Sequence, residues 1–143
     1  MTDHLLDVNV LLALCDPMHV HHEATHRWFA AVGRFAWATC PITENGFVRV
    51  GSHPSYPNRP GDAAAVLEIL RQFCAADEHR FWAADLSIRD LLKSGTAITH
   101  TQVTDLYLLG LAVRNGGKLA TLDRRISADA VDSGGGALVL LPT

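Results

Sequence analysis

Residues 4–15, HLLDVNVLLALC, encode the first strand and the first helix of the chain. The apolar run at residues 4–8 predicts a short buried strand. Residues 9–15 predict a helix, which Asp16-Pro17 ends because proline cannot continue a helical hydrogen-bond ladder. A buried strand that passes directly into a helix is typical of α/β proteins.

The same alternation continues along the remaining sequence. Further strands are predicted at residues 35–40, 80–83, 118–122 and 137–141. Helices are predicted at residues 21–32, 41–50, 63–76, 87–93 (capped by Ser87), 101–115 (capped by Thr101) and 125–131, with a loop at 51–62 and a turn at 133–136. This order indicates an α/β fold with a mainly parallel sheet and helices on both faces. Residues 1–143 are predicted to form one domain.

The composition is typical of a globular protein, with 48% apolar and 19% charged residues. A net charge of −3 argues against a passive protein that coats nucleic acid, though not against an enzyme that binds phosphate locally. Three cysteines without a CxxC pair indicate free thiols in a reducing cytoplasm. Neither a basic leader nor an apolar run of about 20 residues is present, so no secretory signal or membrane span is expected.

Four acidic residues are predicted to meet at one edge of the sheet. Asp7 and Asp123 follow apolar strand segments directly, whereas Glu44 and Asp105 lie about one turn into predicted helices. In a parallel sheet, the ends of the strands and the beginnings of the following helices share the edge where ligands bind.

Clustered carboxylates of this kind need a compensating charge. Glu44 and Asp105 each continue an apolar helical stripe, where burying a carboxylate costs several kcal/mol. Repulsion between two charges about 4 Å apart adds roughly 4 kcal/mol. A hard cation such as Mg²⁺ or Mn²⁺ would offset both terms and could activate water against a phosphodiester. Each acid alone also fits an ordinary role: Asp7 a helix cap, Asp105 an early-helix acid and Asp123 a turn residue.

Three blocks of the sequence resemble those of PIN-domain nucleases, and most closely VapC-type toxins. The blocks are LLDVNVLLAL, ITENGFVRV and TQVTDLYLLGLAVRNGGKLATLD. SHPSYPNRP, after the second block, is similar to a loop of many such toxins. The resemblance runs nearly end to end and implies a PIN-like three-layer α/β/α fold.

The resemblance also implies a function and its residues. It implies a Mg²⁺-dependent endoribonuclease, with Mn²⁺ able to substitute, that acts on tRNA or ribosomal RNA as a homodimer and is neutralised by a small antitoxin. The acidic quartet would be Asp7, Glu44, Asp105 and Asp123, with Asp7 and Asp105 the main metal ligands. Asn9 and Thr104 match neighbouring polar positions that support the site.

Two other functions compete with this interpretation. His22-Glu23-Ala24-Thr25-His26 matches the HExxH pattern of zinc metalloproteases, but no further ligand follows at the expected spacing, and a surface helix with Trp28 and Phe29 packed inward explains it. The chain could instead be a PIN-like module that binds RNA or protein without cleaving. Six basic residues could form a phosphate track or simply be solvated surface: Arg49, Arg59, Arg114, Lys118, Arg124 and Arg125.

Overall fold

A five-stranded sheet forms the centre of the molecule, which a computed structural model describes over residues 1–143. The strands are β1 (His4–Leu6), β2 (Trp37–Thr39), β3 (His79–Phe81), β4 (Lys118–Thr121) and β5 (Leu138–Leu140). Their order is β3-β2-β1-β4-β5, and every neighbouring pair is parallel. The predicted mainly parallel sheet is therefore confirmed.

Six α-helices accompany the sheet. They are α1 (Val8–Cys15), α2 (His22–Ala31), α3 (Pro41–Gly51), α4 (Ala63–Phe73), α5 (Val103–Arg114) and α6 (Gly134–Ala137). None of them is long and apolar enough to cross a membrane.

Two apolar cores lie on opposite faces of the sheet, because successive strand residues point in opposite directions. Leu5 belongs to one core together with Leu106 and Leu109 of α5. Its neighbour Leu6 belongs to the other core, together with residues of α1, α3 and α4 such as Val10. The three-layer α/β/α architecture is thus confirmed.

Helix α3 approaches the beginning of α1 closely. A Cβ atom placed on Gly46 would lie only 2.6 Å from Cγ2 of Val8. Glycine at this position therefore allows the helix that carries Glu44 to pack against the residue that follows Asp7.

The predicted loop at residues 51–62 is present between α3 and α4 and is held to the end of α1. Oδ2 of Asp16 accepts hydrogen bonds from the Tyr56 hydroxyl at 2.6 Å and from Nδ2 of Asn58 at 3.0 Å. Asp16 therefore both follows α1 and anchors this loop.

Of the two predicted helix caps, Ser87 is confirmed and Thr101 is wrong. Ser87 does accept the Arg89 amide, but the helix is a single 3₁₀ turn at Ile88–Asp90, because Leu91 packs instead against Gly110 of α5. Thr101 does not cap α5: it lies within a 3₁₀ turn, where its hydroxyl bonds to that of Thr99. Helix α5 begins at Val103 without a side-chain cap.

The prediction for the last third of the chain was also wrong in two places. The helix predicted at residues 125–131 is a 3₁₀ turn at Ala128–Ala130, since the Arg125 amide is held by Oδ1 of Asp123 in a turn. The turn predicted at residues 133–136 includes the short helix α6. That helix follows Ser133, which has a left-handed backbone conformation with a φ of 62°.

Candidate active site

The carboxyl ends of β1 and β4 form the middle of the sheet edge. The chain proceeds from β1 to β2 and β3 on one side and then returns to β4 and β5 on the other. This reversal separates the loops that follow β1 and β4 and leaves a crevice there, the usual position of a ligand site in open parallel sheets. Asp7 and Asp123 follow these two strands, so the topology brings them together.

Asp7 is buried and held by two hydrogen bonds. Its Oδ1 accepts the Val8 amide at 2.7 Å, which makes Asp7 the N-cap of α1. Its Oδ2 accepts the Thr121 hydroxyl at 2.7 Å. Asp7 therefore fills the structural role of a helix cap, and the same bonds fix the direction of its carboxylate at the strand edge.

The hydroxyl of Thr121 connects the surrounding residues. Besides donating to Asp7, it accepts Nδ2 of Asn9 at 3.3 Å and the Asp123 amide at 3.0 Å. Oδ1 of Asn9 in turn accepts the Leu122 amide at 3.1 Å. These bonds tie the beginning of α1 to the segment after β4 and place both loops in one rigid arrangement.

Asp123 lies on the solvent side of this network beside a basic side chain. Its Oδ1 accepts the backbone amide of Arg125 at 2.9 Å and Nε of the same residue at 3.2 Å. The Arg125 ion pair lowers the pKa of Asp123. An open depression of about 440 Å³ is lined by Asn9, Leu122, Asp123, Arg124 and Arg125.

Asp105 contributes a third carboxyl group from the first turn of α5. Burial and the negative charges of Asp7 and Asp123 together raise the pKa of Asp105 to about 6. Burial likewise raises the pKa of Asp7, while the Thr121 and Val8 hydrogen bonds oppose the shift. Three of the four predicted acids thus form one electrostatically coupled group, which we call the aspartate trio.

Glu44 makes its contacts elsewhere. Its Oε2 accepts the hydroxyl of Thr39 at 2.6 Å, and the same hydroxyl lies 2.7 Å from Nε2 of His79. The acids that shift the pKa of Asp105 are Asp7 and Asp123, without a contribution from Glu44. The fourth predicted acid is therefore engaged on the β2–β3 side of the edge rather than within the aspartate trio.

The two predicted supporting residues differ in their surroundings. Asn9 belongs to the Thr121 network. Thr104 is exposed in the first turn of α5, and its hydroxyl makes no side-chain hydrogen bond. Thr121 was missed by the sequence analysis, although a hydroxyl residue at the end of an apolar strand, two positions before an acid, was a usable signal.

The HExxH segment forms the beginning of α2. Nδ1 of His22 is bound to the carbonyl oxygen of Ala13 at 2.7 Å, and the His22 and His26 rings lie 5.7 Å apart at their centroids. Glu23 is exposed. Phe29 packs against Trp37 and Phe73, as the surface-helix interpretation predicts. His22 is half-buried rather than fully solvated, because of its bond to α1.

Comparison with known families gives the class of the protein. The family model described as PIN domain matches residues 4–131. The chain therefore belongs to the PIN-domain family.

Similar proteins of known name identify the group within the PIN-domain family to which the chain belongs. Ribonuclease VapC44 of Mycobacterium tuberculosis is 44% identical over 129 residues, which cover 89% of this chain and 90% of that protein. Ribonuclease VapC38 of the same organism is 46% identical over 122 residues, covering 83% and 84%. Ribonuclease VapC39 is 39% identical over 137 residues, covering 91% and 94%. The chain is a VapC-type member of the family.

Solved structures agree with the fold. The sarcin-ricin-loop-cleaving toxin VapC20 of Mycobacterium tuberculosis aligns with a TM-score of 0.60 at 12% identity, over 97% of this chain and 99% of that one. FitAcB from Neisseria gonorrhoeae aligns with a TM-score of 0.63 at 18% identity, over 96% of each chain. At these identities the likeness concerns the three-layer architecture.

Proposed function

We propose that the chain is a metal-dependent endoribonuclease and the toxin of a VapBC-type toxin–antitoxin pair. The observation that carries the proposal is the aspartate trio at the switch point of the sheet. Asp7 is buried without a basic partner, and Asp105 has a pKa of about 6 beside two other acids. The one ion pair in the trio, between Asp123 and Arg125, leaves most of this charge uncompensated.

The chemistry of the donor set fits a hard divalent cation. Carboxylate oxygens are the ligands that Mg²⁺ and Mn²⁺ prefer. Asp7 and Asp105 would be the main ligands, with Asp123 beside them. A bound ion of this kind supplies an activated water and stabilises charge on the phosphate.

The other residues of the site orient the metal ligands and bind the RNA backbone. Thr121 and Asn9 hold the loops after β1 and β4, so that Asp7 needs little rearrangement to bind an ion. Arg124 and Arg125 line the open depression beside Asp123 and are exposed. An exposed guanidinium group can bind phosphate oxygens in a bidentate manner, so these two residues would hold the RNA backbone at the trio.

RNA is the substrate that the relatives indicate, because proteins 38–46% identical to this chain are named ribonucleases. Structured RNA, either tRNA or ribosomal RNA, is the class we propose. Glu44 completes the acidic quartet in this proposal if its side chain turns from Thr39 toward the trio when a metal ion binds.

A cytoplasmic ribonuclease needs a partner that restrains it. We propose a homodimer neutralised by a small antitoxin, with a basic side chain of the antitoxin in the acidic site. Two of the structural neighbours are VapBC2 of Rickettsia felis and FitAB, both bound to DNA. Exposed apolar side chains offer contact area for such partners, among them Met18, Val20 and Phe81.

The competing functions have less support. A zinc protease site at His22-Glu23-x-x-His26 lacks a third protein ligand, because no other His, Cys, Asp or Glu side chain forms a metal-binding group with these histidines. A non-catalytic binding module does not explain why three electrostatically coupled carboxylates lie together in a crevice, where their repulsion opposes folding.

In vitro cleavage tests the proposal. Purified chain should cleave structured RNA with Mg²⁺ or Mn²⁺, and EDTA or the Asp7→Asn substitution should stop cleavage. Asp129→Asn, at an exposed acid in the 3₁₀ turn Ala128–Ala130, is the matched surface control. Cleavage that survives exhaustive chelation, or that requires zinc, would refute the proposal.

A further inference from the structure

A second cluster of ligand atoms lies at the β2–β3 side of the sheet edge. It consists of a carboxylate oxygen of Glu44, the thiol of Cys74 and a ring nitrogen of His79, which all lie within 4.8 Å of one another. The three residues come from the first turn of α3, the end of α4 and the beginning of β3. Each of the three residues is partly exposed, so an ion could enter from solvent.

The donor types in this cluster differ from those of the aspartate trio. A thiolate and an imidazole favour zinc and related transition ions, whereas Mg²⁺ requires oxygen ligands. A thiolate, a carboxylate and a neutral imidazole together carry two negative charges, which one divalent ion neutralises. Neither Glu44 nor His79 forms an ion pair with Lys or Arg within the chain.

The geometry is nearly preformed. Zinc with bonds of about 2.0–2.3 Å in a tetrahedral arrangement places its ligands roughly 3.5 Å apart, so the side chains need to close by about 1 Å. The Thr39 hydroxyl already bonds to Glu44 and His79 and holds both groups toward one point. It would remain as an outer partner that orients a ligand.

We propose that Glu44, Cys74 and His79 bind one zinc-like transition-metal ion, at a site separate from the aspartate trio. The protein supplies three ligands, and the partly exposed position leaves the fourth for water or another small ligand. Binding releases the Cys74 proton to solvent, since only the thiolate coordinates. The affinity for the ion should therefore increase with pH.

One consequence rests on the proposed nuclease function. Glu44 cannot serve the acidic quartet while it binds zinc on the β2–β3 side. Zinc should therefore inhibit RNA cleavage in the wild type, and Cys74→Ser should relieve that inhibition. If zinc inhibits Cys74→Ser as strongly as wild type, the inhibition does not come from zinc bound at this site.

Metal binding itself is tested without RNA, so its outcome is independent of the nuclease proposal. Metal-free protein is titrated with Co²⁺, whose bond to a thiolate gives a charge-transfer band in the near ultraviolet. We expect the band to saturate at one equivalent, to disappear on adding Zn²⁺ and to survive excess Mg²⁺. Cys74→Ser should abolish the band, and His79→Gln should weaken binding by at least about tenfold.

Three control variants should retain the band. They are Cys15→Ser, which removes another partly buried thiol, the double variant His22→Ala with His26→Ala, and Asp105→Asn. A band that is lost in a folded Cys15→Ser, or in the histidine double variant, but kept in Cys74→Ser would overturn the site.

A measurement on the wild type covers the case in which a variant fails to fold. Zn²⁺ should slow alkylation of Cys74 by iodoacetamide at least tenfold, as judged by peptide mass mapping. Alkylation of Cys15 should be unchanged, and Mg²⁺ should protect neither thiol. Equal alkylation of Cys74 with and without Zn²⁺ would overturn the proposal.

Discussion

Replacing Asp105 by Asn separates a metal ligand from an ordinary structural acid. The pKa of Asp105 rises from 3.8 to about 6, first through burial and then through the charges of Asp7 and Asp123. Because the folded state holds this proton more tightly than the unfolded state, the ionised carboxylate opposes folding. The penalty is absent below about pH 4, grows between pH 4 and 6, and is complete above that range.

The size of the effect follows from that shift. At 1.36 kcal/mol per pKa unit the ceiling is roughly 3 kcal/mol, and partial solvent exposure reduces it to about 1 kcal/mol. Asp105→Asn removes the charge at nearly constant volume. Without metal at pH 7.5 it should therefore stabilise the protein by about 1 kcal/mol, or raise Tm by about 3 °C. At pH 4 the difference should nearly disappear.

Thermal melts of both proteins, each in EDTA and in Mg²⁺, measure this. Wild type should gain about 2.7 kcal/mol when free Mg²⁺ is a hundredfold above its Kd, and the variant should gain much less. Asp129→Asn, an exposed acid in the 3₁₀ turn after β4, is the charge-matched control and should change neither melt. The reasoning would be refuted if the variant melts several degrees lower than wild type in EDTA and the Tm of wild type does not change with Mg²⁺.

Three further outcomes are expected. Thr121→Val should cost about 1–3 kcal/mol in urea unfolding and reduce cleavage, because a buried carboxylate loses its donor; equal stability would contradict this. His22→Ala with His26→Ala should leave the RNA cleavage rate within about twofold, whereas complete loss in a folded protein would restore the zinc-protease interpretation. Gly46→Ala should destabilise by about 1–3 kcal/mol, since its Cβ meets Val8, and an unchanged unfolding midpoint would argue against this close contact.

The strand and helix order was predictable because it depends on local patterns. The apolar run before Asp7 and the Asp16-Pro17 stop define β1 and α1 closely. Thr101 looked like a cap by residue type alone. Its hydroxyl instead bonds to Thr99, and α5 begins two residues later. A cap depends on backbone angles that neighbouring turns impose, and these are absent from the residue pattern.

Only the part of the site that lies at the ends of neighbouring parallel strands was predictable from the sequence. Asp7, Asp105 and Asp123 are coupled as the sheet-edge argument expects. The partners of Glu44 could not have been predicted, because His79 comes 35 residues later and reaches Thr39 only when β3 pairs with β2. Contacts between residues so far apart in the chain depend on strand register, which no local pattern specifies.

The nature of the RNA ends after cleavage tests the central claim most directly. In the proposed reaction the aspartate trio would hold a metal ion, which would supply an activated water for hydrolysis of the phosphodiester without help from the ribose hydroxyl. The products of wild-type cleavage in Mg²⁺ should therefore carry no cyclic phosphate, and the same RNA should stay intact with EDTA or with Asp7→Asn. Products that end in a cyclic phosphate, formed equally in EDTA, would contradict a metal-dependent nuclease at this site.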